Sequence, residues 1–223
     1  MPLLIHPTIT FVHMADHPKH IAVSGNIGAG KTTLTAMLAK HYGWQAEFEA
    51  VENNPYLADF YGDMKKWSFH LQVYFLNSRF EQINKVREGE KTVIQDRTIY
   101  EDAYIFAKSL HHQGYFSDRD YQNYLTLFDS MIKFVQAPDL LIYLKSDIDK
   151  LVKNIEKRGR EYESAIRIDY LQGLNAHYND WIDNYNEGKL LIIDVNHIDF
   201  VQNQDHFADI VSKIDVELHG LFS

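Results

Sequence analysis

A chain of 223 residues, 45% of them apolar and 24% charged, can bury a sizeable core and reads as one α/β globular unit. Its net charge of −9 argues against nucleic acid polymers and anionic membranes as partners, so any bound phosphate must be held by a local set of donors. There is no cysteine, which excludes disulfides, thiolate chemistry and cysteine-ligated zinc, and fits a reducing cytoplasm.

Residues 1–13 carry a weak apolar stretch without the basic start or cleavage site of a signal peptide. Residues 1–19 therefore read as an N-terminal extension with no assigned function, and 20–223 as a single domain. Ile21–Val23 reads as a buried strand, Gly25–Gly30 as a loop and Lys31–Tyr42 as a helix. Gln45–Val51 reads as a second strand, and Asn53–Met64 as a turn running into a helix. A long helix is predicted over Trp67–Arg87, with Phe69, Val73, Leu76, Phe80 and Ile83 on one stripe. Thr92–Gln95 is a short strand, followed by helices over Ile99–Leu110 and Asp118–Val135. Leu140–Leu144 is a strand and Ile148–Lys157 a helix that Gly159 interrupts. Tyr170–Tyr185 is helical, Leu190–Val195 the last strand and Phe207–Leu218 the last helix. Short apolar strands alternating with helices imply a five-stranded parallel sheet covered on both faces, with ligands at the carboxyl ends of the strands.

Gly25-Asn26-Ile27-Gly28-Ala29-Gly30-Lys31-Thr32 matches the phosphate-loop pattern in full and lies between a predicted strand and a predicted helix. Its glycines let backbone N–H groups approach phosphates, and the helix N-terminus adds partial positive charge. Lys31 would reach the β- and γ-phosphates and Thr32 would hold Mg²⁺. The loop does not by itself name the acceptor. Glu49, at the end of the second strand, can take a proton from an attacking hydroxyl, and Glu52 is near enough to compete for that role. Asp96 follows the third strand and can reach Mg²⁺ through water, or else cap the next helix. Gln72 and Arg79 share one face of the long helix, and Asp102 and Phe106 share a face of the next. Gln, Arg and Asp can read a base edge, and Phe can stack on it. Lys157-Arg158-Gly159-Arg160 reads as a mobile arginine lid, or as basic residues opposing a helix dipole. The 12 histidines show no ligand spacing beside an acid that would argue for a metal site.

Six motifs in order resemble the deoxynucleoside kinase family, from about His20 to Leu221: GNIGAGKTT at Gly25, EAVENNPYL at Glu49, KKWSFHLQ ending at Gln72, DRTIYED at Asp96, KRGREYE at Lys157 and IIDVN at Ile192. The NPYL stretch and the DRT variant are most similar to bacterial purine deoxynucleoside kinases. The resemblance implies a three-layer P-loop fold with a short lid, transferring the γ-phosphoryl of ATP to a nucleoside 5′-hydroxyl with Mg²⁺. It implies Glu49 as general base, with Ala50 where the family often has proline. Arg97 would hold the 5′-oxygen and phosphate, Gln72 would read the base edge, and Arg79 with Asp102 would select purines or cytosine over thymine. Phe106 would stack on the base, Tyr61 and Glu163 would hold the sugar 3′-hydroxyl, and Arg158 and Arg160 would be lid arginines. Thr33 continues the loop, and Asp194-Val195-Asn196 resembles a segment that packs on the donor adenine. The family further implies a homodimer. Two rivals stand: a nucleoside monophosphate kinase, which a carboxylate at Glu49 disfavours, and a non-catalytic nucleotide-binding subunit.

Overall fold

The structure, a computed structural model, describes residues 19–49, 51, 54–160, 163 and 165–220. The predicted N-terminal extension, except Lys19, and Ala50, Glu52, Asn53 and Glu161 lie outside the described residues.

Five strands form one parallel sheet: β1 (His20–Ser24), β2 (Gln45–Glu47), β3 (Val93–Asp96), β4 (Leu140–Lys145) and β5 (Lys189–Asp194), in the order β2-β3-β1-β4-β5. Alternate residues of the central strands feed opposite faces, as the pleat dictates. Ile21, Val23, Leu140, Ile142 and Leu144 join Leu34 and Leu38 of α1 (Lys31–Tyr42), Leu151 of α7 (Ile148–Arg158) and Ile210 and Ile214 of α9 (Gln204–His219). Ala22, Leu141 and Tyr143 face the other layer. That layer holds α2 (Leu57–Gly62), α3 (Met64–Glu88), α6 (Asp118–Ile132) and α8 (Ile168–Asp183). Between α3 and α6 runs a composite helix: α4 (Ile99–Glu101), a π-helical segment (Asp102–Ala107) and α5 (Lys108–His112). Each fully buried Leu, Ile or Val contributes about 1.5–3 kcal/mol, so the two apolar layers hold the sheet and fix where its strands end.

Three expectations need correction. The second strand stops at Glu47 rather than Val51, because β3 is its sole partner among the described residues and the chain leaves β3 after Asp96. Glu49 is thereby released from the sheet and turns into the molecule. The buried face of α3 is Ser68, Leu71, Gln72, Leu76, Arg79 and Ile83, not the apolar stripe as a whole. Phe69, Val73 and Phe80 lie on its half-buried flank, because three polar side chains, Ser68, Gln72 and Arg79, share the inward face. Finally, the helix after Arg97 is not uniformly α. Its π turn, a feature frequent at functional sites, puts Asp102 and Phe106 on a cavity wall while Ala103, Ile105 and Ala107 stay in the core.

The connection from β1 runs toward β2 and that from β3 runs the opposite way, past β1 to β4, so the winding reverses between β1 and β3. A crevice opens at the carboxyl ends of β1 and β3, where this topology places ligands. The Gly25 loop follows β1 and the Asp96-Arg97 pair ends β3, so both meet there.

Candidate active site

The phosphate loop is shaped by its glycines. Gly25, Gly28 and Gly30 have φ of 146°, 86° and 96°, in the region that disfavours any side chain. A Cβ on Gly28 would lie 2.6 Å from the Leu151 carbonyl oxygen, so this turn is seated against α7. Lys31 is buried and its Nζ donates to the Asn26 carbonyl at 3.0 Å, folding the ammonium over the loop. Burial first and Arg97 second lower its pKa to about 8, against the opposing pull of Asp96, Glu49 and Glu101. Thr32 Oγ1 donates to Asp96 Oδ2 at 2.5 Å, joining the loop to the end of β3.

Opposite the loop stands a cluster of buried charge. Arg97 has φ 74°, uncommon for a side-chain-bearing residue and worth roughly 1–3 kcal/mol of strain. Its N–H is tied to the Val23 carbonyl at 2.9 Å, and this backbone turns its side chain inward. The guanidinium lies 4.5 Å from the Phe106 ring centroid. Arg97 Nε is 2.9 Å from Glu49 Oε1, and its Nη1 is 3.3 Å from Glu101 Oε1. Arg79, 2% exposed, completes the cluster. Its Nη1 donates to the Asp96 carbonyl at 2.8 Å, its Nη2 to Glu49 Oε1 at 3.3 Å, and its Nε is 3.6 Å from Asp102 Oδ2.

The balance between burial and neighbouring charge differs between the two acids. Burial favours the neutral form of Glu49, but Arg97, Arg79 and Lys31 together outweigh it and hold its pKa below the usual range. For Asp102, burial prevails over Arg79, and the pKa is pushed up to about 7. One carboxylate is kept ionised and its neighbour is poised near neutrality.

One cavity of about 700 Å³ joins these parts. Ile27, Gly28 and Lys31 to Thr33 line one side, and Glu49, Tyr61, Gln72, Asp96, Arg97, Asp102 and Phe106 the other. Arg158, Arg160 and Glu163 close it. Glu163 binds Arg158 through two bonds, Nε to Oε2 at 2.9 Å and Nη2 to Oε1 at 2.6 Å, and Arg160 Nη1 donates to Oε1 at 3.4 Å. Gly159, at φ 65°, ends α7 and separates the two arginines. A second cleft of about 370 Å³ runs from the outer side of the loop, with Ala29 and Gly30, past Lys150, Lys157 and Val195. Arg158, Gly28 and Thr33 border both spaces.

Not every expected residue reaches the cavity. Arg79 is not on its wall; it stands behind and engages Glu49 and Asp102. Asp194 Oδ1 accepts from the Asn196 N–H at 2.9 Å and Asn196 Oδ1 from the Asp147 N–H at 2.8 Å, so these side chains shape their own loop while Val195 alone lines the second cleft. Asn26 serves the loop through its side chain, with Nδ2 donating to Asn175 Oδ1 at 2.9 Å. Sequence reasoning missed Glu101, Tyr178 and Asn175. For Glu101 a signal existed: Thr98 and Glu101 form a capping box, visible as threonine followed three residues later by glutamate. Among the described residues no group of three or more histidines, aspartates or glutamates converges as a metal cluster, and no helix is long and apolar enough to cross a membrane.

A glycine loop opening a helix at the carboxyl edge of a parallel sheet, facing a carboxylate flanked by guanidiniums, defines a phosphotransferase of the P-loop class. The described residues of the six sequence motifs fall on this frame. The chain belongs to the deoxynucleoside kinase family, whose model, "Deoxynucleoside kinase", matches residues 21–219. It is 39% identical over 212 residues to the deoxyadenosine/deoxycytidine kinase of Bacillus subtilis, covering 92% of this chain and 98% of that one. Identity to the deoxyadenosine kinase of Dictyostelium discoideum is 42% over 182 residues, 82% of this chain and 74% of that one. A solved deoxyadenosine kinase from M. mycoides, with dCMP and a flexible dCDP bound, matches with a TM-score of 0.80 at 30% identity, covering 88% of this chain and 98% of that one.

Proposed function

We propose that this protein transfers the γ-phosphoryl of ATP to the 5′-hydroxyl of a deoxynucleoside, with deoxyadenosine the preferred acceptor and deoxyguanosine or deoxycytidine accepted. The observation that carries this reading is the shared cavity, where Lys31 and Thr32 face Glu49 and Arg97. A monophosphate acceptor would call for cations where Glu49 stands. A carboxylate held ionised by Arg97 and Arg79 instead suits a neutral hydroxyl whose proton must leave.

In this mechanism the donor phosphates lie along the Gly25–Thr33 loop, held by backbone N–H groups and Lys31. The acceptor lies between Phe106 and the α3 wall. Glu49 takes the 5′-hydroxyl proton as the oxygen attacks in line. Arg97 holds that oxygen, and Arg158 and Arg160, released from Glu163, stabilise charge on the transferring group. Glu163 and Tyr61 then hold the sugar 3′-hydroxyl. Gln72 offers an amide to the base edge, and Asp102, near neutrality, offers either an acceptor or a donor. The Val195 cleft takes the donor base.

Thr32 and Asp96 suit a hard divalent cation, because they are joined at 2.5 Å and the buried Asp96 Oδ1 has no hydrogen-bond partner among the described residues. We assign Mg²⁺ to this pair, where it would offset charge on the donor phosphates. The reading extends to a homodimer in the cytoplasm, supported by the family resemblance and the absence of cysteine.

The test is ATP-dependent conversion of deoxyadenosine, deoxyguanosine, deoxycytidine and thymidine, with ribonucleosides and monophosphates alongside. Deoxyadenosine 5′-monophosphate as the main product supports the reading. Turnover of monophosphates alone, or of nothing while ATP still binds, overturns it.

A further inference from the structure

Helix α8 contributes Tyr170 to the cavity wall, yet its buried face reaches both halves of the site by other residues. Asn175 and Tyr178 lie three residues apart, hence on one face and about 4.5 Å apart along the axis. On the donor side, Asn26 Nδ2 donates to Asn175 Oδ1 at 2.9 Å and to the Leu171 carbonyl at 3.1 Å. Asn175 Nδ2 donates in turn to the Ser146 carbonyl, just past β4, at 3.0 Å. Asn26 Oδ1 accepts from the Ile27 N–H at 2.7 Å, so the first turn of the phosphate loop is fastened to α8.

On the acceptor side, the Tyr178 hydroxyl accepts from Arg97 Nη1 at 2.5 Å and donates to Glu101 Oε1 at 2.8 Å. Glu101 Oε2 accepts from the Thr98 N–H at 2.7 Å, which holds this carboxylate beside the strained Arg97 backbone. The arginine's opposite edge, Nε, faces Glu49. Tyr178 and Glu101 are fully buried and neither lines the cavity. The other buried positions of α8 away from the site, Leu174 and Ile182, are apolar and pack in the core. A hydroxyl in that row costs free energy unless it is bonded, and here both of its bonds serve the arginine's surroundings. Burial pushes its pKa far up, so the phenol stays neutral.

We propose that Asn175 and Tyr178 are positioning residues that set the phosphate loop and Arg97 in one frame, one helical turn apart on α8. The inference rests on the phosphoryl-transfer reading above. Donor and acceptor must approach in line, and a misplacement of about 1 Å can cost on the order of 100-fold in rate. The β1–β3 pairing and the Arg97 N–H bond to the Val23 carbonyl fix the two backbones, and Thr32 meets Asp96; α8 adds the hold on the Asn26 side chain and on the Arg97 guanidinium.

The experiment is steady-state kinetics of the full chain with ATP and deoxyadenosine, comparing wild type with Tyr178→Phe, in the native and in the Arg97→Lys background. Tyr178→Phe should lower kcat at least tenfold with both KM values within threefold, and its cost should shrink below twofold when Arg97 is already lysine. An unchanged kcat, or the same fold-loss in both backgrounds, overturns the inference, because a merely structural tyrosine acts independently of Arg97. If Tyr178→Phe does not fold, Asn175→Ala carries the test: its loss of kcat should vanish in the Asn26→Ala background, and additivity there overturns the inference. An inactive wild type overturns the parent reading and this inference together. An active wild type matched by Tyr178→Phe overturns this inference alone.

Discussion

The two sides of the cavity are built in opposite ways. The donor side is one contiguous run, Gly25 to Thr33, whose working groups are backbone N–H donors set by glycine dihedrals. The acceptor side is assembled from side chains on the exit of β2, on α3, on the end of β3 and on the π segment, and the charged ones there, Glu49, Arg79, Arg97 and Asp102, are paired with one another. A backbone site fails when a Cβ intrudes. A site of paired side chains fails when one removal leaves its neighbours unpaired. The second kind couples every member to the rest.

The sharpest break of that contrast is chemical. Glu49→Gln should lower kcat by roughly 10²–10⁴ while ATP affinity, measured by fluorescence titration, stays within threefold. An unchanged rate would move the base role to Glu52. Next comes Arg79→Ala, which leaves Asp102 without its cation and Glu49 with Arg97 alone, and should destabilise the fold by about 3–5 kcal/mol in denaturant titration. Adding Asp102→Ala should recover part of that loss and shift relative kcat/KM toward thymidine. Equal kcat/KM ratios across the bases in wild type and double variant would show that the pair does not select the base.

On the donor side, Gly28→Ala meets the Leu151 carbonyl at 2.6 Å with φ 86° and should cost about 1–3 kcal/mol together with ATP affinity. Gly62→Ala, with nothing within 4 Å, is the matching control and should stay within about 0.5 kcal/mol. Loss of equal size at both glycines would remove the distinction between a seated loop and an open helix end.

The acceptor side can also be probed through its pH profile. Asp102, pushed up to about 7, holds a proton in the folded chain that the unfolded chain has released across the window from the ordinary carboxylate range to about pH 7. Its contribution to stability therefore falls as pH rises through that window, by at most about 1.4 kcal/mol per pH unit. Asp102→Asn should remove this downward component in urea titrations at stepped pH, and a profile parallel to wild type would refute it. Glu49, held below its usual range, contributes in the opposite sense, with stability lost as pH falls.

How much of this was legible follows the same division. The five strands were readable because buried parallel strands are short apolar runs between turn residues, and Leu140–Lys145 deviates from its prediction by one residue. The Gly25 loop was readable because its chemistry is local. The face of α3 was not, since apolar periodicity cannot show that Gln72 and Arg79 occupy the inward row. The length of β2 was not, because it depends on where its partner β3 ends.

The amino-acid sequence by itself determined the alternation of strand and helix, the phosphate loop with its lysine and threonine, and the set of charged residues available to an acceptor. These depend on interactions within a few residues, which a linear pattern records. Only the tertiary structure decided that Arg79 stands behind the wall bridging Glu49 and Asp102, and that Tyr178 and Asn175, far along the chain, reach Arg97 and Asn26. Those pairings follow from how two apolar layers dock on one sheet, and the free energy of a buried charge depends on which opposite charge that docking brings beside it.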